Sequence, residues 1–123
     1  MNDKKKEQLK GNLVEMGLME QTDTLLDCVQ ANYRKQVLGK LGKWQQGWIC
    51  FTEKQVVYPL GIFEEHIVIL YACIRRIEKF TAGLIPMGMA VAYDDSKSGG
   101  ETEAQFTISK RDKWIAFLSE KAG

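Results

Sequence analysis

The chain has 123 residues, enough for one domain with a buried core. Its 17 Lys and Arg balance 16 Asp and Glu, so no net field directs it to nucleic acid. With 45% hydrophobic and 27% charged residues it has the make-up of a folded globule, not of a disordered tail. The longest apolar run, 67–74, falls far short of the roughly 20 residues a membrane helix needs. The basic start MNDKKKEQLKG is followed by no apolar h-region, so no signal peptide is expected and the cytoplasm is the expected location. Cys28, Cys50 and Cys73 are odd in number, widely spaced and without a CxxC pair. That pattern suits reduced, buried thiols better than a disulfide frame or a zinc site.

Residues 3–17 are predicted to be helical, with Leu9, Leu13 and Met16 on one face and Val14 beside them. Gly17 can take the left-handed conformation that ends a helix, and Leu18 can then fold back on Leu13. Lys4, Lys5 and Lys6 sit badly at the positive end of the helix dipole, and Gly11 weakens the middle by about 1 kcal/mol relative to Ala. Such a helix depends on packing. From Thr22 the pattern changes. Residues 25–33 read as a strand, and 34–43 as a loop broken by Gly39 and Gly42. Residues 44–51 and 55–58 read as two strands joined by a hairpin turn over Thr52–Gln55. Pro59 cannot donate to a sheet ladder and ends the second of them.

Residues 65–71 form a further apolar stretch. Residues 73–80 follow as a bulged or edge strand, with Arg75 and Arg76 between Ile74 and Ile77. In 87–93, Met87, Met89, Val91 and Tyr93 alternate with Gly88, Ala90 and Ala92. Residues 94–100 read as a loop. Ala104, Phe106 and Ile108 alternate with Gln105 and Thr107 in a last strand. Ser109 is then expected to cap a helix with Asp112 in capping-box position and an apolar face of Trp114, Ile115, Phe117 and Leu118. About seven antiparallel strands and a terminal amphipathic helix describe a mainly β chain. Its simplest packing is two sheets with the helix over an open end.

GWICFTEKQVVY resembles the hairpin of GRAM domains, IVILYACIRRIEK their next strand, and QFTISKRDKWIAFL their closing strand and helix. The resemblance spans about residues 23–121 and identifies the chain as similar to bacterial-type members of the pleckstrin-homology-like superfamily. It implies a seven-stranded barrel of two packed sheets capped by the C-terminal helix. The N-terminal helix, residues 1–22, is an extension outside the usual module of 23–123. The resemblance also implies a binding scaffold without a catalytic set, since members commonly bind phosphoinositide head groups, peptides or partner domains. Function still rests on a site.

Two candidate sites stand out. In RKQVLGKLGKW, Arg34, Lys35, Lys40 and Lys43 lie among Val37, Leu38 and Leu41 with no acid between them. Cations with apolar neighbours at a loop tip suit an anionic membrane surface. The basic pattern of lipid-binding relatives is missing from the next strand, where Gln45 and Gln46 stand. The second candidate is the small-residue face of Gly88, Ala90 and Ala92, which permits close approach of a helix from the same or another chain. Together with Leu9, Leu13 and Met16 it forms the expected protein interface. Interaction with a protein partner or a second copy is the leading reading, and peripheral attachment to anionic lipid the alternative. No catalytic constellation or cofactor motif is present: GLIPMG lacks phosphate-loop spacing, and DDSKSGGE lacks calcium-loop spacing. His66, beside Glu64 and Glu65, lacks converging metal ligands.

Overall fold

A computed structural model describes residues 3–37, 40–59, 66–82, 84–95 and 99–123, with backbone alone at 36, 37, 40, 41, 82, 85 and 86. It is mainly β, with antiparallel strands and two helices. The chain divides into two compact units. One comprises Met1–Gln30 and Gly47–Leu70, the other Ala31–Gln46 and Tyr71–Gly123.

In the first unit, helix α1 (Asp3–Glu15) ends as its sequence dictates. Gly17 takes φ +74°, the Gly17 N–H donates to the Val14 carbonyl at 3.0 Å, and the Leu18 N–H donates to the Leu13 carbonyl at 2.9 Å. This paired bonding satisfies two helix-end carbonyls and returns Leu18 to Leu13. Leu13 is buried with Met19, Leu25, Cys28, Cys50 and Val57, and Leu9, Val14, Leu18 and Trp48 line the rim of that cluster. The helix is therefore part of the core of its unit, not an appendage to it. Met16 lies just past the helix and is 44% exposed, so it does not share the burial expected of its stripe.

Strands β1 (Leu25–Val37), β3 (Gln45–Thr52), β4 (Gln55–Tyr58) and β5 (Ile67–Leu70) supply this unit's sheet in the order β5-β4-β3-β1. The β3–β4 turn has only Glu53 and Lys54 outside the strands. Two-residue hairpins usually need positive φ, hence Gly or Asn, and neither Glu53 nor Lys54 adopts it. Side chains do the work instead. Thr52 Oγ1 accepts from the N–H groups of Lys54 (3.2 Å) and Gln55 (3.1 Å). The Glu53 N–H donates to the Thr24 carbonyl (3.1 Å) and to Asp23 Oδ1 (3.3 Å). Asp23 is buried, and this bond with one from the Thr24 N–H (2.7 Å) offsets its desolvation.

The second unit holds residues 31–37 of β1, the short β2 (Lys40–Leu41), β6 (Ile74–Ala82), β7 (Ile85–Asp95), β8 (Gly100–Ile108), a 3-10 turn at Tyr71–Cys73 and helix α2 (Arg111–Ala122). Its sheet runs β1-β8-β7-β6. One face carries Met89, Val91 and Tyr93 opposite Phe106, Ala104 and Thr102, with Tyr33 opposite Phe106. All are buried, and the Tyr33 and Phe106 rings lie 5.5 Å apart. Helix α2 covers this side: Trp114 and Leu118 are buried, and Asp112 pairs at 2.9 Å with Lys79, the register partner of Met89. The Lys79 ammonium holds the exposed Asp112 carboxyl below its ordinary pKa.

Several expectations need correction. Of the expected 34–43 loop, 34–37 continue β1 and pair with β2, the Gly42 N–H donates to the Lys35 carbonyl at 3.0 Å, and 38 and 39 lie outside the described residues. Of the expected 94–100 loop, Asp94 and Asp95 belong to β7 and Gly100 to β8, while 96–98 lie outside the described residues. Ser109 is not the cap of α2. That position falls to Lys110, in the left-handed conformation (φ 57°) with no side-chain cap bond. Cys73 is half-buried, unlike the other two thiols. The bulged edge strand is found as β6, with register shifts between Ile74 and Arg76 and between Phe80 and Ala82.

Trp114 packs edge-on against Phe117 at 5.6 Å, and Phe117 in turn meets Tyr71 at 5.9 Å. Trp114→Ala is expected to cost about 3–5 kcal/mol in urea denaturation, and a near-zero cost would contradict this packing. Burial pushes the Tyr58 phenol up to about 12. The unfolded phenol ionises near pH 10, roughly the free value, so the unfolded state binds fewer protons between those two values. Stability should then be intact below pH 10 and fall as pH rises towards 12. Tyr58→Phe should flatten that alkaline loss in denaturation midpoints measured against pH.

Candidate functional site

The sheet face turned away from α2 is where the second unit concentrates polar groups. Register sets its composition. Ala90 on β7 lies between Glu78 on β6 and Gln105 on β8, and Ala92 between Arg76 and Glu103. Gly88 lies between Phe80 and Thr107, and Arg34 on β1 opposes Gln105. Small residues on the middle strand thus floor a shallow trough whose walls are long side chains from both neighbours.

The walls are tied together. Arg34 stacks on the Trp44 ring at 4.4 Å, a cation–π contact, and its Nε donates to Gln105 Oε1 at 2.7 Å. Gln105 Nε2 donates to Glu103 Oε2 at 3.1 Å. Across the trough, Arg76 lies 3.5 Å from Glu78 and 3.4 Å from Glu101. Trp44, Arg76, Glu78 and Glu101 are exposed, so this face meets solvent with both signs of charge. At the end of the floor, a Cβ at Gly88 would sit 2.6 Å from the Phe80 carbonyl oxygen and 2.7 Å from its ring. Arg111 of α2 donates to the carbonyls of Phe80 (3.2 Å) and Gly88 (3.3 Å), fixing this corner.

Of the four expected anion-binding cations, two have partners within the chain. Arg34 is engaged as described, and Lys35 forms a largely buried ion pair with Asp95 at 3.0 Å. Lys43 is exposed, and the side chain of Lys40 lies outside the described residues, as do Leu38 and the side chains of Val37 and Leu41. The expected interface residues fall in both units. Leu9 and Leu13 belong to the core of the first unit, whereas Gly88, Ala90 and Ala92 lie on β7 of the second. Leu13, Ala90 and Ala92 are buried in the chain itself, and the strands beside Ala90 and Ala92 carry polar side chains at the same level. His66 is half-buried, and Glu64 and Glu65 lie outside the described residues. Among the described residues no group of three or more His, Cys, Asp or Glu converges to hold a metal.

Sequence reasoning missed the walls of the trough. Trp44, Arg76, Glu78, Glu101, Glu103 and Gln105 read only as strand or loop residues. The available signal was their period-two spacing on strands beside the Gly-Ala-Ala alternation, which becomes meaningful only once register is known.

No protein-family model and no curated protein matches the sequence. Among solved structures, the chain is similar to the C-terminal domain of an unknown protein from Leishmania infantum, with a TM-score of 0.65 and 17% sequence identity. The match covers 94% of this chain and 95% of that one. The likeness is one of fold.

Gly88→Ala should force the β6–β7 backbone apart and cost about 1–3 kcal/mol, an overpacking effect measurable by urea denaturation. An unchanged midpoint would show that this corner yields freely.

Proposed function

We propose that the chain is a non-catalytic interaction module on a pleckstrin-homology-like scaffold. It self-associates through the polar trough of β1, β8, β7 and β6. The observation that carries this reading is the mixed charge of one face: exposed Arg76, Glu78 and Glu101 stand with half-buried Arg34 and Glu103 around a small-residue floor. A two-fold contact brings the same patch from both copies together, so the patch must complement itself. A face with arginines and glutamates interspersed meets that condition, and the exposed Trp44 adds an aromatic anchor at its rim. The resemblance of the hairpin and closing helix to GRAM-type domains agrees with a binding role. Helix α1 contributes to its own unit's core in this reading, not to the contact between copies. Attachment to an anionic membrane surface is less well supported, because Arg34 and Lys35 have partners within the chain.

Light scattering over a concentration series tests the proposal. The mass of the wild type should rise towards twice the monomer and fall again at high salt. Ala92→Arg, which fills the trough, should stay monomeric with an unchanged circular dichroism spectrum. A wild type that is monomeric at every concentration would refute self-association. Co-sedimentation with phosphatidylserine vesicles, lost in Lys43→Glu, would favour the membrane reading instead.

A further inference from the structure

In the first unit, Cys28 on β1 and Cys50 on β3 occupy neighbouring strands of one sheet and share one buried cluster. They are 5% and 0% exposed, and each thiol perturbs the ionisation of the other. Neighbouring strands run about 4.7–4.9 Å apart, inside the Cα span that a disulfide bridges. Helix α1 contributes to the cover of the pair: its Leu13 lies in the same cluster and its Leu9 at the rim. That helix is weakly built: Lys4, Lys5 and Lys6 crowd its positive end and Gly11 interrupts its middle. Local opening of such an element is less costly than global unfolding.

We infer that Cys28 and Cys50 are a dithiol that closes to an intramolecular disulfide with a small-molecule disulfide oxidant, and that α1 is the cover that sets the rate. When α1 lifts, the Cys28 thiolate attacks one sulfur of glutathione disulfide. A protein–glutathione mixed disulfide forms, and one glutathione leaves as thiolate and takes up a proton. Cys50 then loses its proton and attacks Cys28 Sγ, expelling the second glutathione. Two cysteine thiols are oxidised and one glutathione disulfide is reduced to two glutathiones, so electrons and protons balance. The neighbouring Cys50 thiol lowers the Cys28 pKa against the opposing effects of burial and Asp27, with a smaller lowering from Lys6 on α1. Cys28 and burial raise that of Cys50. These directions agree with Cys28 as the attacking sulfur and Cys50 as the resolving one. The inference is independent of the proposed self-association, which uses the other unit.

The full chain is incubated with glutathione disulfide, quenched with iodoacetamide at intervals and mapped by peptide mass spectrometry. A Cys28–Cys50 cross-link is expected, with Cys73 outside it. Cys50→Ser should stop at glutathione on Cys28. Leu9→Ala, which loosens α1 from the rim, should accelerate closure about tenfold with the fold intact by circular dichroism. Sub-denaturing urea on the wild type provides the same loosening if that variant does not fold. Three results would overturn the inference. One is no Cys28–Cys50 link after Cys73 is fully modified. Another is a disulfide that includes Cys73. The third is a closure rate that ignores Leu9→Ala and follows only global unfolding in urea.

Discussion

Strand β7 is held by its register with β6 on one side and β8 on the other, and that double constraint governs the second unit. Side chains on a strand alternate faces with period two, so one register assigns every one of them. Met89, Val91 and Tyr93 go to the side covered by α2, where Tyr33, Phe106 and Trp114 complete a close-packed apolar core. Gly88, Ala90 and Ala92 necessarily go to the other side. A slip of one residue would bury the charged walls and expose the aromatic core. The bulges of β6 absorb the mismatch at either end of the pairing and leave its centre in register.

The first unit solves a different problem with short polar groups. Its hairpin turns without glycine because Thr52, Asp23 and the Thr24 carbonyl satisfy the turn's N–H groups. Residues 20–24 thereby link the exit from α1 to the β3–β4 turn, since Lys54 also pairs with Glu20 at 3.2 Å and the Gln55 amide donates to the Leu18 carbonyl. The Lys54–Glu20 pair is exposed and contributes little; the buried Asp23 contacts matter more. Helix α1 is fixed at its C-terminal end by Gly17 and along its length by Leu13.

Electrostatics also distinguishes the two candidate surfaces. Lys35 is largely buried with Asp95, and Arg34 is held by an aromatic ring and an amide. Both cations thereby help to shape the sheet. In the trough, Arg76, Glu78 and Glu101 pair with one another while staying exposed to solvent.

The sequence by itself determined what local chemistry controls. The Gly17 helix end, the turn at 52–55, the edge character of β6 and the apolar faces of β7 and α2 all depend on residues near in the chain. So did the mainly β composition with a helix at each end. It also separated Cys28 and Cys50 from any CxxC motif, but not from each other in space. Only the tertiary structure joined those thiols, extended β1 into the supposed loop, moved the α2 cap to Lys110, and brought Arg34, Gln105 and Glu103 into one row. Arg34 and Gln105 stand 71 positions apart, and nothing local to either specifies the other. Such contacts are set by strand order and register, which arise from packing the whole sheet, whereas a helix end or a two-residue turn is closed by bonds a few residues long.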